Sequence, residues 1–276
     1  MKPAALLLAM SALMSPVASA QASQNDALRA AIDGEHRTAS FRARDDARHP
    51  YQTLEFFGIT PDMTVVELWP GGGWYSEILA PYLKPHGVLY AAHFDPETEI
   101  EYFRRSRQRY EAKLAADPQT YSQVRLSVFD PPHKLEIAPP GSADAVLTFR
   151  NVHNWYMRGG GEDKLSAAFR AMYVALKPGG ILGVVDHRLP PERPFSDQDA
   201  SGYMRTDLVI DVAREVGFEL VDGSEINANP ADTADHPKGV WTLPPSLRLG
   251  EENADYYLTI GESDRMTLKF VKPQLN

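Results

Sequence analysis

A chain of 276 residues, 43% of them hydrophobic, can bury a large core as one α/β domain or two small ones. A net charge of −9 argues against a nucleic-acid partner. The absence of cysteine excludes disulfides, thiol nucleophiles, cysteine-based zinc sites and a lipid-modified N-terminal cysteine together.

Residues 1–20 read as a signal peptide, with a basic start at Lys2, a short apolar core from Ala4 to Met14 and an Ala18-Ser19-Ala20 cleavage site. The apolar run is too short to span a bilayer, so no stable membrane insertion is expected after its removal. Losing Lys2 leaves 27 basic against 37 acidic residues, a net charge of −10. The mature chain is expected to start near Gln21, in a bacterial periplasm or outside the cell, and to form one domain over 21–276. Its first part, 21–60, has helical character, with Leu28, Ala31 and Ile32 on one face. A charge-dense stretch from Arg42 to His49 follows, closed by Pro50. Arg42, Arg44, Arg48 and His49 could meet a carboxylate, against the plainer reading of a solvated run paired with Asp45 and Asp46.

The centre of the chain is 64–80. An apolar run holding Glu67 ends in Trp69-Pro70, passes through Gly71, Gly72 and Gly73, and continues with Tyr75, Ile78, Leu79 and Tyr82 at helical spacing. This is strand, glycine loop, helix. Glycines there let the backbone turn at φ > 0 and come close to a bound molecule. Pro81 and Pro85-His86-Gly87 are expected to end that helix. A second strand, Val88 to Ala92, runs into His93 and Asp95; Ile100 to Leu114 has amphipathic helical spacing; a third strand, Val124 to Phe129, ends at Asp130.

The fourth strand, Ser142 to Phe149, carries Arg150, Asn151, His153, Asn154 and Trp155 just beyond its carboxyl end, the side that faces the ligand crevice in an open parallel sheet. A helix from Asp163 to Leu176 stops at Lys177-Pro178-Gly179-Gly180, and a fifth strand, Ile181 to Val185, leads to Asp186-His187-Arg188. A helix from Tyr203 ends at Gly217 in the C-cap position. Phe218 to Asp222 and the alternating Met266, Leu268, Phe270 supply strands six and seven. About forty residues between them, 225–264, form a long connection on the ligand side. It is expected to act as a lid, with Asn229, Asp232, His236 and Trp241 pointing inward.

The order acid-x-x-x-Gly-x-Gly at Glu67, Gly71 and Gly73, with the Leu-Lys-Pro-Gly-Gly step into strand five, resembles the class I S-adenosylmethionine-dependent methyltransferases. Arg48-His49-Pro50, Glu67 to Tyr75, Asp186-His187-Arg188 and the ending from Arg265 to Phe270 look like those of predicted secreted bacterial methyltransferase-like proteins. The resemblance implies a Rossmann-like seven-stranded, mostly parallel sheet with helices on both faces and an antiparallel last strand. It implies S-adenosylmethionine as cofactor, held by Glu67, Trp69, Gly71, Gly72, Gly73, His93, Asp95, Asp130, Arg150 and Asn151. Trp69 stands where the family has its first glycine, His93 where it has the ribose-binding carboxylate, and Asp130 near the adenine amino group.

Methyl transfer is an in-line displacement that needs positioning and, for an O–H or N–H⁺ acceptor, a base. His153 and His187 are the candidate bases, with Asp186 to orient an imidazole. The acceptor would be a small molecule or an envelope component, and the oligomeric state stays open. Two other readings stand beside this one: an exported, non-catalytic protein holding a nucleoside-like ligand, and a metal site gathered from His153, Asp186, His187 and His236.

Overall fold

The computed structural model describes residues 16–157 and 159–274. Most of the expected leader lies outside them. From Pro16 the chain is already in helix α1 (Pro16–Asp33), so the expected cut after Ala20 falls within that helix. Three short helices follow, α2 (Ala39–Arg42), α3 (Asp45–Arg48) and α4 (Pro50–Phe57).

The alternating part runs β1 (Thr64–Leu68), α5 (Ser76–Leu83), β2 (Val88–His93), α6 (Glu101–Ala116), α7 (Pro118–Tyr121), β3 (Arg125–Val128), β4 (Ala143–Phe149), α8 (Val152–Tyr156), α9 (Gly161–Ala175) and β5 (Leu176–Leu189). A two-residue strand β6 (Met204–Arg205), α10 (Thr206–Val216), β7 (Glu219–Ser224), β8 (Pro237–Val240), α11 (Ala254–Ile260) and β9 (Arg265–Val271) complete it.

The sheet order is β3-β2-β1-β4-β5-β9-β7, with β6 beside β5. Strands β1 to β5 pair in parallel, and β9 lies antiparallel between β5 and β7. The expected layout is therefore present, with β9 as the antiparallel last strand. Both faces are covered: alternate residues of one strand enter opposite cores, Val66 and Val146 with Phe169 and Met172, Val65 and Leu147 with Leu54 and Ile78. That two-sided burial is why these strands read as continuous apolar runs. The order reverses between β1 and β4, which opens a crevice at their carboxyl ends.

Two local expectations are corrected. Pro81 does not end α5, which continues to Leu83. Proline lacks the N–H that would bond to the carbonyl of Glu77 four residues back. His36 Nε2 takes that carbonyl at 2.6 Å, so the missing donor leaves no orphan acceptor. Lys177 to Gly180 do not separate a helix from a strand either. They lie inside β5 as an excursion between the Ala143–Leu176 and Ala145–Ile181 pairs, with Gly179 left-handed at φ 81° and Lys177 bonded to Asp144 at 2.6 Å.

The segment 34–48 is fastened over the start of α5. Buried Glu77 accepts from the Thr38 backbone and hydroxyl and from Lys113, and Trp74 Nε1 donates to the Phe41 carbonyl at 2.9 Å. Arg44 and Arg48 are thereby held above the crevice.

Candidate active site

Trp69 begins the turn after β1 in the left-handed region, at φ 41°, which costs a bulky residue about 1–3 kcal/mol. Its indole is held from all sides: Nε1 donates to the Phe129 carbonyl at 2.8 Å, and the rings of Phe94, Phe103, Phe129 and Trp155 lie 4.7 to 6.1 Å away. The indole therefore packs into an aromatic cluster under the turn. Gly71 and Gly73 take φ 59° and 85°. A Cβ on Gly71 would meet nothing within 4 Å, whereas one on Gly73 would come to 3.1 Å from Tyr110. Gly71 faces open space; Gly73 permits close packing on α6.

Glu67 sits below this turn, almost fully buried. Ser76 Oγ donates to it at 2.6 Å, so Tyr110, 2.8 Å from the same Oγ, donates in turn to Ser76. Burial pushes the Glu67 carboxyl up to about 7, against the smaller opposing pull of the Ser76 hydroxyl and the Arg150 charge. Asn151 donates to the Leu68 carbonyl at 2.9 Å and ties the ends of β1 and β4 together.

Glu67, Trp69, Gly71, Gly72, Arg150 and Asn151 line one cleft of about 340 Å³, whose other wall includes Phe94 and Phe103. The size is that of an ordinary small-ligand site. His93, Asp95 and Asp130, expected to reach a cofactor, are not among its lining residues. The His93 ring is wholly buried. Its Nδ1 accepts from the Phe94 N–H at 2.7 Å and its Nε2 faces the Gly71 carbonyl at 3.1 Å, so it props the glycine turn from beneath. Burial lowers its pKa to about 4, which keeps it neutral. Asp95 pairs with Lys134 at 2.6 Å, and the Asp130 backbone closes a bridge with Lys134.

A second cleft, about 390 Å³, shares Arg44, Arg48, Arg150, Asn154, Tyr102 and Phe103 with the first and extends to His153, His187, Trp241, Arg248 and Glu262. Within it, Asp186 organises the two histidines. Its Oδ2 accepts from the Val152 N–H at 2.6 Å; its Oδ1 accepts from the His187 N–H at 2.7 Å and meets His153 Nδ1 at 2.8 Å. A carboxylate offers only lone pairs, so Nδ1 of His153 carries the proton and Nε2 is left as the free acceptor. His187 lies with its ring centre 5.1 Å from that of His153 and its Nδ1 2.5 Å from Ser263 Oγ. Burial, followed by electrostatic coupling to His153 and the charges of Arg150, Arg265 and Arg48, holds His187 well below its ordinary pKa and so neutral.

Ligand atoms of His153, Asp186 and His187 lie within 4.8 Å of one another, close enough for a divalent ion. Both Asp186 oxygens already accept N–H donors, one from the buried Val152 backbone, which leaves a single lone pair on Oδ2 for an ion. The metal reading also included His236, which stands apart: its Nε2 is 2.8 Å from Asp232. Asp232 is itself a structural hub, accepting from Tyr203, Ala234 and Asp264, while Asn229 caps the Ile260 and Glu262 carbonyls. Of the four residues expected to point inward from 225–264, Trp241 alone lines the cleft.

Sequence reasoning missed Arg248, Glu262, Ser263 and Arg265. Arg44 Nε reaches Glu262 at 2.6 Å and Arg48 Nε at 3.3 Å, across more than 200 residues of sequence. Arg265 lay within the family-like ending, while Arg248 and Glu262 carry no local signal.

No protein-family model matches this chain, and no curated protein does either. Solved structures do. A SAM-dependent methyltransferase from Aquifex aeolicus matches at 15% identity and TM-score 0.51, over 74% of this chain and 93% of its own. A protein assigned as a sarcosine dimethylglycine methyltransferase from Galdieria sulphuraria matches at 13% and 0.56, over 90% and 98%. The [4+2]-cyclase SpnF matches at 16% and 0.52, over 93% and 96%. Identities this low speak to architecture and leave the reaction to the site. The chain has the class I methyltransferase fold.

Proposed function

We propose that the protein is an S-adenosylmethionine-dependent methyltransferase acting on a small-molecule or envelope acceptor. The observation that carries this reading is the continuity of the two clefts. One lies against the glycine turn and the other holds an oriented imidazole, and Arg150 and Asn154 border both. The residues of the first cleft suit the cofactor: open space over Gly71, the rings of Phe94 and Phe103 for a base, Glu67 and Asn151 for polar contact, and the guanidinium groups of Arg44 and Arg48 for a carboxylate. S-adenosylmethionine bound there supplies an electrophilic methyl group.

The chain's own part is positioning and proton removal. Asp186 fixes the His153 tautomer, and His153 Nε2 accepts the acceptor's proton, a contribution of about 10²–10⁴ in rate. Neutral His187 offers a hydrogen-bonding nitrogen beside it. Calorimetric titration of the purified chain tests the reading. Micromolar binding of both S-adenosylmethionine and S-adenosylhomocysteine is expected, lost in Gly71→Val, whose side chain would enter the open space over the turn. If neither compound binds the wild-type chain, the reading fails.

We infer also that the protein is exported, periplasmic or secreted, on the strength of the leader-like pattern over 1–20. A charged cofactor would then have to be loaded before export or delivered afterwards. Intact mass of the protein recovered from a bacterial periplasmic fraction is expected to begin at Gln21. Recovery only from the cytosol, with Lys2 retained, would contradict export.

A further inference from the structure

The lining of the second cleft combines two chemistries. Arg44, Arg48, Arg150 and Arg248 line it, and Arg265 stands directly behind, in a chain whose net charge is −9. Among the described residues one carboxylate is ion-paired with this group: Glu262, reached by Arg44, Arg48 and Arg265. The Arg150 side chain makes no hydrogen bond or ion pair among the described residues, although its backbone is held in the left-handed region at φ 61°. Arg248 rests on the Trp241 ring, 4.5 Å from its centre, and likewise has no carboxylate among the described residues. Holding Arg150 among other cations with no ion pair of its own is costly unless something compensates it. The direction of the effect is visible at Arg150 itself, which burial lowers to about 10.

The same lining carries Tyr102, Phe103, Trp241, Pro244 and Pro245, the apolar share of the cleft. Tyr102 is 66% exposed, so its ring is free to cover a ligand. His153 lines the same cleft, its ring centre 6.2 Å from that of Trp241. Guanidinium forks match the paired oxygens of a carboxylate or phosphate, and aromatic and proline surfaces match an apolar body.

We propose that the cleft beside His153 binds an oxyanion, carboxylate or phosphate, carried on an apolar or aromatic acceptor, with Arg150 and Arg248 as its ligands. The word acceptor rests on the methyltransferase reading; the anion site does not. An acidic body thus has a cationic mouth over its candidate base, which draws anions in and holds them with the reacting group toward His153.

The cofactor brings a carboxylate of its own, so the test is made on the full chain saturated with S-adenosylhomocysteine. Calorimetric titration uses benzoate, phenyl phosphate and the neutral isostere benzamide. Benzoate or phenyl phosphate is expected to bind at least about tenfold tighter than benzamide, and whichever binds better names the oxyanion. Arg150→Gln and Arg248→Gln should each weaken that binding by about tenfold or more and leave benzamide unchanged. Arg248 is exposed, so its variant reports even if Arg150→Gln fails to fold. Equal binding of benzoate, phenyl phosphate and benzamide overturns the proposal. So does anion binding that occurs only in the cofactor-free chain and vanishes on saturation, because the guanidinium groups then serve the cofactor's carboxylate. Should S-adenosylhomocysteine not bind while arginine-dependent benzoate binding persists, the methyltransferase reading fails and the anion site stands.

Discussion

Asp186→Ala lowers the free energy of unfolding by about 4 kcal/mol in a urea titration, the largest single-residue effect expected in the site. The carboxylate is fully buried and accepts from the Val152 and His187 backbone and from His153 Nδ1 at 2.6 to 2.8 Å. Alanine leaves the Val152 and His153 donors buried and the His187 donor half-buried without a partner, and each buried orphan costs about 1–3 kcal/mol. Asp186→Asn discriminates further. Its carbonyl oxygen can still accept at one position, from Val152 or from His153 and His187 together, but its amide must face the other, so it costs roughly 2 kcal/mol while keeping the fold. Where that amide meets His153, the imidazole has to accept at Nδ1 and carry its proton on Nε2. The nitrogen facing the acceptor then no longer takes a proton. Nitrogen-15 chemical shifts of His153 read this tautomer directly, without knowledge of the acceptor. An alanine variant within about 1 kcal/mol of wild type would show that Asp186 does not hold His153.

The parts legible in the sequence are those set by local pattern. Two-sided apolar runs marked β1 and β4, the glycine turn marked the crevice, and the polar clusters after Phe149 and Val185 marked the strand ends that His153, Asp186 and His187 occupy. Position along a strand did not predict side-chain direction. His93 ends β2 as expected, yet the N–H of the next residue captures its Nδ1 and turns the ring under the glycine turn. Trp69 was recognisable as a departure from the family, but its destination depends on four rings brought from the segments around β2, α6, β3 and α8. The cationic cleft was hardest to foresee. Arg44 and Glu262 meet only because the N-terminal helices fold back over the sheet to reach the segment leading into β9, so the charge-dense stretch marked the arginine but nothing local marked its carboxylate.

Stability should fall by about 3 kcal/mol as the pH is raised from about 4.5 to about 7.5, and Glu67→Gln should remove that component. Burial lifts the folded-state pKa of Glu67 to about 7 from an ordinary value of 4.5. Below the ordinary value the group is neutral in both states and contributes nothing. Between the two values the unfolded chain has released its proton while the folded chain retains it, so each rise in pH favours unfolding. Above the folded-state value both states are ionised, and the penalty stays at its full size, set by about 1.4 kcal/mol for every pH unit that separates the two pKa values. The amide in Glu67→Gln still accepts from Ser76 Oγ and never carries the charge. The variant should therefore match wild type at about pH 4 and exceed it in urea midpoint at about pH 8. Arg150 sets the size of the effect from the other side, because its charge pulls the Glu67 pKa down. Arg150→Gln should therefore widen the pH-dependent loss, and Glu67→Gln in that background should abolish it again. A pH-independent difference between Glu67→Gln and wild type would mean that the carboxyl is solvated, and the cleft floor would then be wetter and more open than its packing against Ser76 and Tyr110 implies.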